Sequence, residues 1–153
     1  MNNIKNITDN IYVTTTKNLD FTYLTELKIL NIKYIININN YSNILKNNDD
    51  IKILNFNIDR LKIYISGNPI DIDFDLIDNI LISAIKNNYS VLICDENYLL
   101  SFLLIGRFLA KYYKLTFTET VYWLANKLNI DINSKIYKNI IYQLFSQFSL
   151  LNL

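Results

Sequence analysis

The sequence predicts an α/β fold, and two features of its hydrophobic pattern support that prediction. Short β-branched segments alternate along the chain with longer stretches that repeat apolar residues every three or four positions. One segment, YSVLIC (89–94), is largely apolar, which is typical of a parallel strand buried on both faces. Together these features indicate a central, mostly parallel sheet of four or five strands with helices packed on both faces.

The first half of the chain is predicted to hold three strands and one helix. The segments NIYVTTT (10–16), KYIININN (33–40) and IKILNFNID (51–59) are rich in β-branched residues, so each is expected to form a strand. Apolar residues at helical spacing predict a helix over 18–32. The segment RLKIYISGNPID (60–71) contains the only proline and is expected to be a loop.

The second half is predicted to be mainly helical. The segment DFDLIDNILISAIKNN (73–88) is acidic at its start, as a capped helix is, and it precedes the buried strand at 89–94. Three further helices are predicted at Leu99–Tyr113, Thr118–Leu128 and Ser134–Phe148.

Composition excludes several classes of protein. The 153 residues show no internal repeat and no linker, so 1–153 is expected to form a single domain. A net charge of +1 with 51% hydrophobic and 19% charged residues favours a folded globule and argues against a nucleic-acid partner. With one cysteine and no histidine, the usual zinc ligands are missing, and we predict no metal and no cofactor.

The chain shows no signal for secretion or membrane insertion. MNNIKNITDN lacks the apolar core of a signal peptide, and the longest apolar run, Tyr98–Ala110, contains Arg107 and is too short for a span. These features predict a soluble, cytoplasmic protein without a membrane partner. The abundance of Asn, Ile, Lys and Tyr is typical of a very AT-rich genome, as in a virus, a parasite or a small-genome bacterium.

Cys94, the only cysteine, ends the predicted buried strand and precedes a short polar stretch and an apolar helix. A strand that delivers a cysteine into a tight loop before a helix is the usual architecture of a phosphate-binding thiolate. A lone cysteine at a strand end is also commonly a small buried hydrophobic residue. We favour the structural role, and the nucleophilic role is the alternative.

Five segments of the chain resemble the cysteine-dependent dual-specificity phosphatases. They are ITDNIYVTTTKNLDFTYLTELKILNIKYIININN, ILNFNID, SVLIC, FLLIGRFLAKYYKLTFTETVYWLANK and IIYQLFSQF. The similarity covers nearly the whole chain, and a composition typical of an AT-rich genome leads us to expect the poxviral branch of that family. The resemblance implies a dual-specificity phosphatase fold with an active-site loop that begins at Cys94.

The active-site loop of that family reads His-Cys-x-x-Gly-x-x-Arg-Ser/Thr, and it corresponds here to ICDENYLLS (93–101). The resemblance implies that Cys94 is a vestigial nucleophile, that Ser101 is the hydroxyl assisting the leaving thiolate, and that Asp59 is the general acid. Asp59 equally fits a turn or cap residue, and Ser101 equally fits the cap of the following helix.

Three functional residues of the loop are replaced, with Ile93 for the histidine, Asn97 for the glycine and Leu100 for the arginine. The other residues of this degenerate loop are Asp95, Glu96, Tyr98 and Leu99. The resemblance implies that the two acidic positions vary and that their side chains point away from a bound phosphate.

The replacements predict a loss of chemistry. Leu100 offers no donor to a phosphoryl oxygen, and losing one preorganised donor commonly lowers a rate by on the order of 10²–10³. Without the cation, the pKa of Cys94 is expected near the ordinary thiol value of about 8.5. Asn97 is expected to keep the loop shape, because asparagine tolerates the left-handed backbone of a glycine. Arg107 is expected to be a surface or helix-end charge.

The sequence therefore predicts a catalytically inactive pseudophosphatase that acts as a protein-binding or scaffold module, competing with active phosphatases for a host or viral phosphoprotein. The alternative is a weakly active or phosphate-binding dual-specificity phosphatase that uses Cys94, with a substitute cation from Arg60 or Lys62. Exposed tyrosines would suit a protein interface, and a homodimer is compatible with the sequence. A viral source would place the protein in the host cell cytoplasm or in the virion.

Overall fold

The computed structural model of the chain describes most of the sequence. The described residues are 4–16, 18–38, 43–44, 50–56 and 72–151. Asp59 and the predicted loop at 60–71, which includes Arg60 and Lys62, lie outside the described residues.

The chain forms two compact units. The first comprises Met1–Ile58 and Asp73–Tyr98, and the second comprises Asp59–Ile72 and Leu99–Leu153. Among the described residues, the strands belong to the first unit and the last three helices belong to the second. The single domain expected over 1–153 stays a prediction.

The first unit is built on a five-stranded sheet. The strands of this unit are β1 Ile4–Thr8, β2 Ile11–Thr14, β3 Asn18–Leu19, β4 Ile32–Asn37, β5 Asn43–Ile44, β6 Lys52–Asn55 and β7 Ser90–Cys94. The large sheet has the order β1-β2-β7-β4-β6, and β3 and β5 form a small parallel sheet of their own. In the large sheet β1 and β2 are antiparallel and the other pairings are parallel. The predicted mostly parallel sheet of four or five strands is confirmed, and β1 is an additional strand that was not predicted.

The strand β7 lies inside the sheet, between β2 and β4, and its five residues are all buried. Because neither face of such a strand meets water, its sequence is apolar apart from Ser90. The last residue, Cys94, is paired with Thr14 of β2 and with Asn37 of β4. The carboxyl edge of a parallel sheet, where Cys94 lies, is where open α/β folds usually bind ligands.

The helices of the first unit follow the predicted pattern with one difference in length. They are a 3₁₀ turn Phe21–Tyr23, α1 Leu24–Ile29 and α2 Phe74–Asn87. Asp73 caps α2, since its carboxylate accepts a hydrogen bond of 3.0 Å from the Leu76 N–H, and Asn88 ends the helix in the left-handed conformation. The helix predicted at 73–88 is confirmed, whereas the one predicted over 18–32 is reduced to a 3₁₀ turn and a short α-helix.

The described part of the second unit contains three helices that pack on one another: α3 Leu99–Tyr113, α4 Phe117–Leu128 and α5 Lys135–Leu150. Every residue of α3 from Leu99 to Ala110 is buried. Gly106 allows α4 and α5 to pack closely against α3. A Cβ at this position would lie 3.0 Å from Leu144 Cδ2 of α5 and 3.3 Å from Leu124 Cδ1 of α4. None of the helices in the described residues has both the length and the apolar character needed to cross a lipid bilayer.

A reciprocal capping interaction defines the start of α4. The Thr116 hydroxyl accepts a hydrogen bond of 3.2 Å from the Glu119 N–H, and the Glu119 carboxylate accepts one of 3.0 Å from the Thr116 N–H. Two N–H groups that the helix cannot satisfy internally are thereby paired. The helix consequently begins at Phe117, one residue before the predicted start.

Candidate functional site

The main chain of neighbouring strands holds both sides of Cys94. The Ile38 N–H donates a hydrogen bond of 2.9 Å to the Cys94 carbonyl, and the Asp95 N–H donates one of 2.9 Å to the Thr14 carbonyl. These bonds continue the pairing of β7 with β4 and β2 at the end of the strand. The start of the loop is therefore fixed by main-chain hydrogen bonds.

The Cys94 side chain belongs to the hydrophobic core of the first unit. None of its surface is exposed, and it clusters with Leu19, Leu27, Ile32, Ile35, Ile51 and Leu92. Burial, and to a lesser degree the negative charge of Asp95, raises the pKa of the Cys94 thiol to about 12. The expected pKa near 8.5 is wrong, because the sequence alone does not show how completely the core surrounds the thiol.

Asp95, the residue after the cysteine, is also fully buried. The resemblance implied that this side chain points away from a bound phosphate, and that stays a prediction. The negative charge of Asp95 contributes to the raised pKa of both Cys94 and Tyr98. Because buried carboxylates are rare, the sequence pattern contains no signal that indicates this burial.

The left-handed residue of the loop is Tyr98, with a φ of 63°. Asn97 is not among the described residues that have a positive φ, so the expectation that Asn97 replaces a left-handed glycine is wrong. A bulky side chain seldom adopts this conformation, because its Cβ approaches the carbonyl oxygen too closely. Other contacts of Tyr98 must therefore hold it in place.

Two such contacts tie Tyr98 to the strands of the first unit. The Lys5 ammonium of β1 lies 5.1 Å from the centre of the Tyr98 ring, within the range of a cation–π interaction. The Thr15 side chain, directly after β2, hydrogen-bonds the Tyr98 hydroxyl. Burial raises the pKa of Tyr98, the hydrogen bond from Thr15 lowers it, and the charge of Asp95 raises it. Tyr98 was predicted as a residue of the degenerate loop, whereas Lys5 and Thr15 were not predicted to lie near it.

The other loop residues are divided between the two units. Ile93 is buried within β7, whereas Glu96 and Asn97 form a turn and are partly exposed. The last loop residues open α3 in the second unit and are fully buried; they are Leu99, Leu100 and Ser101. The structure thus places Cys94, Asp95 and Tyr98 together in the first unit.

Arg107 is not the surface charge that the sequence predicted. Only 6% of its surface is exposed, and its Nε donates a hydrogen bond of 3.0 Å to Gln147 Oε1 of α5. The packing of α5 on α3 covers the guanidinium, which a one-dimensional pattern does not show. Arg107 therefore acts in the packing of the second unit.

The described loop offers an incoming anion a buried thiol and a buried carboxylate. Binding of a phosphoryl group requires N–H donors and positive charge directed at its oxygens. Leu100, which the resemblance places at the position of an arginine, has no donor in its side chain. Within the described part of the chain, no three His, Cys, Asp or Glu side chains are grouped so that they could hold a metal ion.

Comparison with solved structures identifies the class of fold: it is that of the dual-specificity and related tyrosine phosphatases. A human tyrosine phosphatase-like serine/threonine/tyrosine-interacting protein matches with a TM-score of 0.73 and 13% identity over 98% of both chains. Human DUSP28 matches with a TM-score of 0.67 and 8% identity over 100% of this chain and 97% of that one. A leucine rich repeat and phosphatase domain containing protein from Entamoeba histolytica gives a TM-score of 0.60 and 18% identity, covering 98% and 95%.

No protein-family model matches the chain, and no curated protein matches it. Sequence identities this low establish the fold alone. The predicted α/β fold of the dual-specificity phosphatase class is confirmed.

Proposed function

We propose that this protein is a catalytically inactive pseudophosphatase that acts as a protein-binding or scaffold module. The observation that carries the proposal is the complete burial of the Cys94 thiol near a buried Asp95, with a thiol pKa of about 12. The thiolate is the nucleophilic form of cysteine, so a group that holds its proton this tightly is a poor nucleophile.

The size of the effect supports inactivity. With a pKa of about 12, about one Cys94 in 10⁵ is ionised at pH 7. Reactive protein thiols have pKa values of roughly 3.5–7.5, so a substantial fraction of each is ionised at that pH. Leu100 in place of an arginine removes a further factor on the order of 10²–10³. The raised pKa lowers the fraction of Cys94 that is a nucleophile, and the missing arginine weakens binding of the transition state. Because the two effects act on different factors of the rate, the two reductions multiply.

The binding role draws support from the fold. A human protein with this fold is called tyrosine phosphatase-like and serine/threonine/tyrosine-interacting. We extend that use to this chain, which would compete with active phosphatases for a phosphoprotein partner. The AT-rich composition supports a poxvirus-like source, with a host or viral partner in the host cell cytoplasm or the virion.

Hydrolysis of p-nitrophenyl phosphate tests the proposal. The parent chain and a Cys94→Ser variant are expected to give the same rate, equal to that of buffer, while an active dual-specificity phosphatase assayed in parallel sets the detection limit. Turnover by the parent that Cys94→Ser abolishes would refute the proposal and establish the alternative, a weakly active phosphatase that uses Cys94.

A further inference from the structure

The helix α5 presents apolar side chains on two sides. One side is buried within the second unit and includes Ile140, Leu144 and Phe148. On another side, Tyr142 and Phe145 are 62% and 53% exposed. A surface helix normally has one apolar stripe, which faces the core, and a second exposed stripe marks a surface for interaction.

The second stripe lines a groove between the start of α4 and the middle of α5. The groove has a volume of about 500 Å³ and is lined by Phe117, Lys138, Asn139, Ile141, Tyr142 and Phe145. The Phe117 ring packs edge-on against Phe145 and Phe148, with ring centres 5.3 and 5.5 Å apart. Because Phe148 is buried, this aromatic cluster anchors the groove to the core.

The length of the groove suits a helix. Its lining residues on α5 include positions 138, 141, 142 and 145, which share one face over two turns. At a rise of 1.5 Å per residue this face is about 11 Å long. A partner helix presents two or three apolar anchors over the same distance when they are spaced i, i+4 and i+7.

The charges of α5 favour an acidic partner. The helix carries Lys135 and Lys138 in its first turn and contains no Asp or Glu. Cations are unfavourable at the positive end of a helix, so these lysines do not serve the stability of α5. Two-fold pairing of α5 with α5 of a second copy would bring no carboxylate of that helix to either lysine. A foreign helix with an acidic residue complements the groove better.

We infer that this groove binds an amphipathic helix of a partner protein. The partner inserts apolar side chains spaced i, i+4 and i+7 against Phe117, Tyr142 and Phe145, and it places an Asp or Glu against Lys138. The inference rests on the proposed binding role of the fold and names the surface that performs it. None of the lining residues belongs to the Cys94 loop.

The probe is a phage-displayed library of amphipathic peptides of about 16 residues, with Leu fixed at i, i+4 and i+7 and Glu fixed beside one of them. The full chain is immobilised and selected peptides are measured in solution by fluorescence anisotropy. Phe145→Ala is expected to weaken binding at least tenfold, as loss of a central aromatic anchor does. Tyr122→Ala is the matched control, because Tyr122 is an aromatic residue of α4 that is 63% exposed and lies outside the groove lining.

A charge swap tests the orientation of the partner. Lys138→Glu is expected to weaken binding of the Glu peptide and to make the same peptide with Lys in place of Glu the better ligand. Lys138 is exposed, so this variant keeps the test decisive even if Phe145→Ala disturbs the packing with Phe117. Circular dichroism and thermal melting check that each variant is folded.

Three results would overturn the inference. The first is that every selected peptide keeps its affinity for at least one of the two variants, Phe145→Ala and Lys138→Glu. The second is a concentration-dependent dimer that Phe145→Ala converts to a monomer, which would make a second copy the occupant. The third is binding to phosphatidylserine vesicles, in place of peptides, that depends on Phe145. Turnover dependent on Cys94 would refute the proposed function without altering the peptide result, so the two failures are distinguishable.

Discussion

The buried Cys94 thiol is expected to make the free energy of unfolding fall with pH in the alkaline range, and Cys94→Ala should remove that contribution. The pKa of the thiol is about 12 in the folded protein, against an ordinary value of 9.0. The folded state therefore holds the proton more tightly than the unfolded chain does. The stabilisation is fully present below pH 9 and is lost as the pH rises from 9 toward 12.

The magnitude follows from proton linkage. Between the two pKa values the free energy of unfolding falls by about 1.4 kcal/mol for each pH unit. From pH 8 to pH 10 the parent should thus lose about 1 kcal/mol through Cys94, and more by pH 11. Cys94→Ala is less stable at pH 8 because it leaves a small cavity, but this cost does not change with pH. The difference in free energy of unfolding between the parent and Cys94→Ala should therefore narrow by about 1 kcal/mol between pH 8 and pH 10.

Urea unfolding followed by the fluorescence of Trp123, the only tryptophan, measures both proteins at each pH. Val91→Ala is the matched control, since it truncates a fully buried residue of the same strand that does not ionise, and its cost should be the same at every pH. If the difference in free energy of unfolding between the parent and Cys94→Ala stays constant from pH 8 to pH 10, the reasoning is refuted. The thiol would then have the same pKa in the folded protein as in the unfolded chain.

Three other predictions concern the loop and the helices of the second unit. Millimolar phosphate, sulfate or vanadate should leave the melting temperature unchanged. An anion bound with micromolar affinity would add roughly 4 kcal/mol to the free energy of unfolding at a thousandfold excess, and the resulting rise in melting temperature would favour a phosphate-binding function. Gly106→Ala should lower the free energy of unfolding by about 1–2 kcal/mol, because the Cβ would lie 3.0 Å from Leu144 Cδ2; unchanged stability in urea would mean that Leu144 moves aside. Thr116→Ala should cost about 1 kcal/mol by removing the hydrogen bond to the Glu119 N–H, and Thr116→Ser should retain most of it; equal losses would contradict the capping argument.

The features that the sequence predicted well depend on local patterns. The strand β7 and the helix α3 are each a contiguous, mainly apolar stretch of sequence. Contacts with distant residues do not change whether these stretches form a strand or a helix. The strand β1 was missed because IKNIT has no clear alternation and contains an asparagine, and its pairing with β2 is what makes it a strand. The position of Cys94 at a strand end follows in the same way from local pattern.

The features that the sequence predicted poorly depend on residues far apart in the chain. The backbone of the loop is left-handed at Tyr98, in contact with Lys5 and Thr15, and nothing within the loop indicates these two residues. The same limitation applies to Arg107, which is covered by a helix that begins many residues later. The raised pKa of Cys94 likewise comes from core residues drawn from several elements.

The hydrogen bonds on either side of Cys94 bear on how this fold tolerates substitution. The bond from the Ile38 N–H and the bond to the Thr14 carbonyl involve no side-chain atom of the loop. Any residue except proline can supply the N–H at position 95, so most substitutions in the loop cost the sheet none of its bonds. The hydrogen bonds that hold this edge of the sheet therefore do not depend on the loop side chains that would carry out chemistry. A chain with this fold can lose those side chains and keep the sheet intact.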